Sequence, residues 1–147
     1  MTMTDDKRIF IDTSVMLHAA VPQSIRHGLC RAFMDSLEES DCHICVSDQV
    51  AREMLVQLMH PRTFTEPYTP AAAVLLTRPL FASLTILSSA PLAVLLDLVN
   101  QFEVRGKQVH DCNLVATMLS HGIHKIVTRN AVDFRRYEPV IEVVEVV

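Results

Sequence analysis

The segment RIFIDTS, residues 8–14, decides the fold of this 147-residue chain. Its apolar run ends abruptly at Asp12, a pattern typical of a short strand buried on both faces of a parallel sheet. In sheets of this kind, ligands bind outside the carboxyl ends of the strands. Asp12 is therefore predicted to lie at the edge of the sheet where a functional site would form.

The rest of the sequence alternates between strand patterns and helix patterns. Further strands are predicted at residues 43–46, 84–87, 125–128 and 141–147. Helices are predicted at residues 23–39, 48–59, 71–80, 92–104 and 108–121, with a turn or short helix at residues 130–137. Ser47 is the expected N-cap of the second helix, and Gly122 the expected C-cap of the last. The alternation favours an α/β fold with a mostly parallel sheet, built as a single domain over residues 1–147.

The composition excludes some classes of protein and leaves others open. Half of the residues are apolar, which excludes a disordered chain. The 17 acidic residues exceed the 13 basic ones and give a formal charge of −4. This balance argues against a protein that coats nucleic acid by bulk charge, but not against an enzyme that cuts nucleic acid.

The longest uncharged stretch, residues 79–96, just reaches the length of a membrane span. Pro79 and Pro91 interrupt it, so we interpret it as a buried strand between two helices. Residues 1–6 hold two acids and no apolar run, and no secretory signal is expected there. These features favour a protein that does not contact the membrane and works in the cytoplasm.

Four carboxylates lie just past a predicted strand or on the helix that follows it: Asp12, Glu53, Asp111 and Asp133. Taken singly, each has an ordinary structural explanation, such as a helix cap, a turn or a solvated helix face. The predicted topology would nevertheless bring all four to one edge of the sheet. Carboxylates that converge repel one another unless a cation neutralises them, and oxygen ligands suit Mg²⁺ or Mn²⁺.

Residues next to these carboxylates provide only weak support for a reaction other than metal-dependent chemistry. Gln49 and Gln57 lie one helical turn on either side of Glu53 and share its polar side. His110 precedes Asp111, but adjacent helical residues point about 100° apart, which disfavours a general base at that position. A phosphatase with Asp12 as nucleophile would need a second acid at the place of Ser14.

Four segments together resemble the motifs of PIN domains, most closely those of VapC-type toxins of prokaryotic toxin–antitoxin pairs. They occur in family order and span nearly the whole chain: IFIDTS (residues 9–14), SDQVARE (47–53), VHD (109–111) and TRNAVDF (128–134). The resemblance implies a three-layer fold whose four- or five-stranded, mainly parallel sheet is flanked by helices. It also implies an Mg²⁺- or Mn²⁺-dependent endoribonuclease that forms a homodimer and is inhibited by a cognate antitoxin protein.

The resemblance assigns roles to individual residues. Asp12, Glu53 and Asp111 match the metal-binding acids of the family, and Ser14 matches a small polar position beside the first of them. Many members carry an acid where this chain has Asn130. Asp133 is then the candidate for the fourth catalytic and metal-binding carboxylate. Asn130 would be a neutral ligand or position a water, and Thr128 would support the site.

In the mechanism that follows from these roles, Asp12 and Asp111 hold the main metal ion. Glu53 and Asp133 complete the site or orient the attacking water. Cations are needed to hold RNA phosphates near an acidic centre, and the candidates are Lys107, Arg129 and Arg136, which could equally be solvated surface residues. The alternative from another class is a catalytically silent PIN-like module that binds RNA or a protein partner.

Overall fold

The computed structural model describes residues 7–147, so the expectation for residues 1–6 lies outside the described residues. Five strands form one sheet: β1 (Arg8–Ile11), β2 (His43–Ser47), β3 (Thr85–Leu87), β4 (Lys125–Thr128) and β5 (Glu142–Glu145). Their order is β3-β2-β1-β4-β5, and every neighbouring pair is parallel. The predicted α/β class is confirmed, with five strands in the sheet.

Six helices connect these strands within the described residues: α1 (Thr13–Ala20), α2 (His27–Glu39), α3 (Asp48–Leu58), α4 (Pro70–Ala82), α5 (Leu92–Gln101) and α6 (Gln108–Ser120). Two 3₁₀ turns, Ala131–Asp133 and Arg135–Tyr137, follow β4 where a turn or short helix is predicted. Helix α1 packs on α2 and α3, α3 packs on α4, and α5 packs on α6. Between residues 7 and 147, we find no helix with the length and apolar character needed to cross a bilayer.

Strand β1 lies at the centre of the sheet, where the direction of winding reverses. From β1 the chain continues to β2 and β3 on one side, and it returns to β4 on the other side. Phe10 and Ile11 of β1 are fully buried, and each such side chain contributes about 1.5–3 kcal/mol by leaving water. The crevice at such a reversal is where open parallel sheets bind their ligands. Asp12 follows β1 directly at this point.

Helix α1 is missing from the sequence-based prediction because it lacks an amphipathic pattern. Five of its eight residues are buried: Thr13, Val15, Met16, Leu17 and Ala19. A helix that is apolar nearly all round has no polar stripe by which its period could be recognised. The tight succession of β1 and α1 brings Asp12 to the boundary between strand and helix.

Strand β3 corrects the interpretation of residues 79–96 as containing a buried strand. It lies at the edge of the sheet, and two of its three residues are exposed, with Ile86 46% accessible. Helix α4 also continues through Pro79 to Ala82, although proline lacks the N–H that the helix needs. The apolar composition of this stretch therefore arises from two helices and an edge strand.

Two predicted helix ends are wrong for local reasons. Helix α2 begins at His27 rather than at residue 23, since the Ser24 hydroxyl accepts the Arg26 N–H at 3.1 Å in a turn and Ile25 is 94% exposed. Helix α5 ends at Gln101 rather than at residue 104, because Glu103 adopts a positive φ of 51°. Such a conformation cannot continue a right-handed helix.

The C-cap predicted at Gly122 is confirmed. Gly122 has a φ of +73°, the left-handed conformation that favours glycine after a helix. Its N–H donates to the Leu119 carbonyl at 3.0 Å, and the Ile123 N–H donates to the Met118 carbonyl at 2.9 Å. This pair of hydrogen bonds is the Schellman motif, which ends α6 and directs the chain into β4.

Candidate active site

The four predicted carboxylates line one cavity of about 960 Å³ at the carboxyl end of the sheet. Asp12 follows β1, Glu53 lies on α3, Asp111 lies in the first turn of α6, and Asp133 closes the first 3₁₀ turn after β4. Asn130 also lines this cavity. The parallel topology thus brings together side chains that are up to 121 positions apart in sequence.

Asp12 is the most enclosed member of the cluster, with 6% of its surface exposed. Its Oδ2 accepts hydrogen bonds from the Ser14 hydroxyl at 2.9 Å and from the Thr128 hydroxyl at 2.7 Å. Burial raises the pKa of Asp12 above its usual range, the hydrogen bonds oppose that rise, and the charge of Glu53 adds to it. The side chain is held rigidly, and its charge is costly without a cation nearby.

The hydroxyls of Ser14 and Thr128 connect Asp12 to the end of β4. The Ser14 oxygen accepts the Arg129 N–H at 3.0 Å, and the Thr128 oxygen accepts the Asn130 N–H at 2.9 Å. Each hydroxyl donates its proton to Asp12 and accepts a backbone N–H. Ser14 and Thr128, two of the three residues predicted to support the site, therefore lie in direct contact with its most buried carboxylate.

Both carboxylate oxygens of Glu53 accept a neutral hydrogen-bond donor. The Thr13 hydroxyl donates to Oε1 at 2.8 Å, and the Gln49 amide donates to Oε2 at 3.0 Å. These donors come from α1 and from the preceding turn of α3. They fix the orientation of the carboxylate, and both of these donors are uncharged.

The pKa of Asp111 is raised by burial and by the other carboxylates of the cavity. Burial raises the pKa of Asp111 from 3.8 to about 7, and the charges of Asp12, Asp133 and Glu53 contribute in that order. A carboxyl group with such a pKa is only partly ionised at neutral pH. The four carboxylates are therefore close enough to repel one another, and a divalent cation would relieve that repulsion.

The donor chemistry fits a hard divalent cation, but the side chains are not yet closed around one. Among residues 7–147, no three side chains of His, Cys, Asp or Glu are grouped so as to hold a metal ion. Asp12 and Glu53 are each held by two hydrogen bonds, whereas Asp133 is exposed. Asp12 and Glu53 are thus fixed in orientation, whereas Asp133 lines the cavity from an exposed position.

The cations predicted to hold phosphates lie elsewhere. In the described part of the chain, the side chains that line the cavity do not include Lys107, Arg129 or Arg136. Arg136 donates a hydrogen bond to the Gln108 side chain at 3.1 Å. Arg129 lies near His18: burial lowers the pKa of His18 most, and the charge of Arg129 lowers it further. Arg52, a cation on α3 that was not among the predicted phosphate contacts, does line the cavity.

A comparison with protein families shows the family to which the chain belongs. The model of the PIN domain matches residues 9–138. The chain belongs to the PIN domain family. The resemblance of the four sequence motifs to PIN domains is thereby confirmed, and so is the PIN-like α/β fold. A search of curated protein sequences gave no significant match.

Solved structures with the same PIN fold include toxins and toxin–antitoxin complexes. VapC20 from Mycobacterium tuberculosis, a Sarcin-Ricin loop cleaving toxin, is 19% identical, with a TM-score of 0.59 over 80% of this chain and 86% of its own. VapBC2 from Rickettsia felis, bound to a DNA fragment from its promoter, is 13% identical, with a TM-score of 0.68 over 92% and 96%. DNA-bound VapBC from Salmonella typhimurium is 14% identical, with a TM-score of 0.63 over 95% and 98%. At these identities the likeness establishes the fold.

Proposed function

We propose that this PIN domain is a divalent-metal-dependent endoribonuclease and the toxin of a toxin–antitoxin pair. The observation that carries the proposal is the convergence of Asp12, Glu53, Asp111 and Asp133 on one cavity, and the raised pKa of Asp111, caused by burial and then by the neighbouring charges, agrees with it. Uncompensated carboxylates in one cavity favour a bound divalent cation. Nucleases of the PIN family generally use divalent metals, which agrees with this interpretation.

Asp12 and Asp111 would hold the main Mg²⁺ or Mn²⁺ ion, and Glu53 and Asp133 would complete the site or orient the attacking water. The bound ion would supply a Lewis acid that activates water and stabilises the leaving oxygen of a phosphodiester. Ser14 and Thr128 hold Asp12 in place. Asn130 lies at the rim and would be a neutral ligand or would position a water.

RNA would approach through the open side of the cavity, where its phosphates need cationic partners. Arg52 lines the cavity and is exposed, so it is the first candidate for such a contact. Lys107, Arg129 and Arg136 remain proposed contacts for RNA phosphates that lie farther from the cavity. The VapC20 toxin, which shares the fold, is described as cleaving the Sarcin-Ricin loop, and this supports cleavage as the activity.

An antitoxin and a second copy of the chain are the proposed partners. VapBC complexes that share the fold support the antitoxin. Leu92 and Leu96 are exposed on neighbouring turns of α5, and exposed apolar patches commonly mark protein contacts. Co-purification of a small protein with this chain and measurement of the molecular mass in solution would test both partners. Because RNA and antitoxin would meet in the cytoplasm, that location is part of the proposal.

A catalytically silent PIN module that binds RNA or a protein is the second candidate. The observation that favours it is the lack, within residues 7–147, of three acidic or imidazole side chains already grouped for a metal. The two candidates differ in one consequence. A nuclease should gain activity with Mg²⁺ or Mn²⁺ and lose it when a ligand is removed, whereas a silent module should bind its partner without either response.

The deciding experiment is cleavage of a broad RNA panel with Mg²⁺ or Mn²⁺ by the wild type, Asp12→Asn and Asp111→Asn. The nuclease proposal expects cleavage by the wild type and a loss of at least a hundredfold in each variant. The exposed Asp97 on α5 offers a matched control, and Asp97→Asn should cleave like the wild type. Activity that survives in EDTA would refute the metal mechanism. Equal inertness of wild type and variants, with partner binding retained, would favour the silent module.

A further inference from the structure

Gln49 is a buried polar side chain at the carboxylate cluster to which neither the motifs nor the proposed reaction assigns a role. It lies in the first turn of α3 and is 7% exposed. Its Nε2 donates to Glu53 Oε2 at 3.0 Å and to the His110 carbonyl at 2.7 Å. Its Oε1 accepts the Asn113 amide at 2.7 Å. A buried amide with all these bonds made is fixed in position.

The orientation of this amide follows from the chemistry of its partners. A carboxylate and a backbone carbonyl can only accept, so the NH₂ group of Gln49 must face Glu53 and His110. Its oxygen must then face a donor, and Asn113 provides one. Asn113 also contacts the Ser89 hydroxyl at 3.4 Å, which ties it to the loop before α5. The orientation of the Gln49 amide is thus determined by Asn113, which the Ser89 hydroxyl contacts in turn.

The same amide joins two helices that each carry an acidic side chain of the cavity. Glu53 lies on α3, while His110 directly precedes Asp111 in the first turn of α6. The carboxylates of Glu53 and Asp111 repel each other across the cavity. By donating to both helices, Gln49 sets the distance between them at the point where that repulsion acts. The Thr13 hydroxyl holds only the other oxygen of Glu53 and does not reach α6 through any such bond.

We propose that Gln49, oriented by Asn113, is a positioning residue that holds Glu53 relative to Asp111 for divalent cation binding. The inference rests on the proposed function. Residues behind the ligands of a metal site affect affinity or activity by about 10- to 100-fold when removed. Gln49 would act through Glu53 and the backbone of α6, without touching the ion or the RNA.

The first test is Gln49→Met, which keeps the length of the side chain and removes its three hydrogen bonds. Mn²⁺ binding, measured by electron paramagnetic resonance of the free ion, should weaken at least tenfold. The kcat for RNA cleavage should fall about 10- to 100-fold, while KM stays within about threefold. Gln101→Met, at the exposed end of α5, is the matched control and should change neither value.

A double-mutant cycle separates positioning from general stability. If Gln49 acts through Glu53, then Gln49→Met in a Glu53→Gln background should change Mn²⁺ affinity by less than about threefold. A purely structural contribution would instead reduce affinity equally in both backgrounds. Thermal unfolding of each variant establishes that the compared proteins are folded.

Asn113→Asp provides a second variant should Gln49→Met fail to fold. The new carboxylate would accept from the Gln49 amide and favour its flipped orientation, with Oε1 against Glu53. Positioning therefore expects weaker Mn²⁺ binding, although an added negative charge by itself would strengthen the binding of a cation. Unchanged or tighter binding would overturn the inference.

The outcomes also separate this inference from the proposed function. If the wild type binds Mn²⁺ and cleaves RNA, and Gln49→Met matches it within twofold in both assays, the positioning role is wrong and the nuclease stands. If the wild type neither binds Mn²⁺ nor cleaves RNA, both proposals fall together. If Gln49→Met binds Mn²⁺ tenfold more weakly than the wild type, and the same substitution has no such effect in the Glu53→Gln background, the result supports both the positioning role and the proposed function.

Discussion

Removing the charge of Asp111 should stabilise the metal-free protein at neutral and alkaline pH. In the folded protein the pKa of Asp111 is raised from 3.8 to about 7, mainly by burial and then by the neighbouring carboxylates. For a group with a raised folded pKa, the related stability is fully present below the unfolded pKa and is lost as pH rises to the folded one. The wild type should therefore lose stability between about pH 4 and pH 7, and Asp111→Asn should escape this loss.

The magnitude follows from the same pKa values. A rise from 3.8 to about 7 corresponds to at most about 4 kcal/mol, at 1.36 kcal/mol per pKa unit. Asp111 is only partly buried, so solvent screening reduces the expected gain in the free energy of unfolding to about 1–2 kcal/mol. For a chain of this length, such a gain raises the melting temperature by roughly 3–6 °C.

Thermal unfolding in EDTA at pH 4, 6 and 8 measures this effect, with Asp97→Asn as the control for removal of an exposed charge. The advantage of Asp111→Asn over the wild type should grow from pH 4 to pH 8. Excess Mn²⁺ should then reverse the order, because binding at 100 times the Kd stabilises the wild type by about 2.7 kcal/mol. An advantage that stays constant with pH would refute the account of charge crowding in the cavity.

Three further substitutions test the scaffold by urea unfolding at pH 7. Thr128→Val removes a hydrogen bond to Asp12 and leaves the Asn130 N–H unpaired, so it should cost about 1–3 kcal/mol; a cost below about 0.5 kcal/mol would contradict this role. Gly122→Ala should cost about 1 kcal/mol because of the positive φ of 73°, and a stabilising effect would argue against the Schellman cap. Pro79→Ala, at an exposed position inside α4, should gain about 1–3 kcal/mol by restoring a helical N–H, whereas no gain would indicate that the helix is broken there.

Strands and helices with a clear hydrophobic period could be predicted from the sequence, whereas the helix that is buried on nearly all sides and the position of the edge strand could not. The apolar run before Asp12 predicts β1, and Gly122 predicts the end of α6. Helix α1 has no polar stripe because it is buried nearly all round. The edge position of β3 depends on the order of strands in the sheet, which apolar composition does not encode.

Three carboxylates of the candidate site could be predicted because Asp12, Glu53 and Asp133 each lie just past a strand or on the helix into which that strand leads. Asp111 lies in α6, which follows α5, and the VHD motif is the signal that identifies it. Their convergence depends only on topology, and the topology follows from alternating strands and helices. The role of Gln49 could be recognised in part, since it shares the polar side of α3 with Glu53. Its contacts with His110 and Asn113 on α6 required the packing of two helices that are distant in sequence.

Proximity to the motifs in sequence did not predict which cation lines the cavity, and Arg129 illustrates this. Thr128 reaches Asp12, 116 positions away, at 2.7 Å. The next residue, Arg129, does not line the cavity. Burial lowers the pKa of His18 and raises that of Cys30, and the charge of Arg129 lowers both. Contacts with RNA phosphates should therefore be sought first on side chains that line the cavity, Arg52 foremost, and only then on cations that border the motifs.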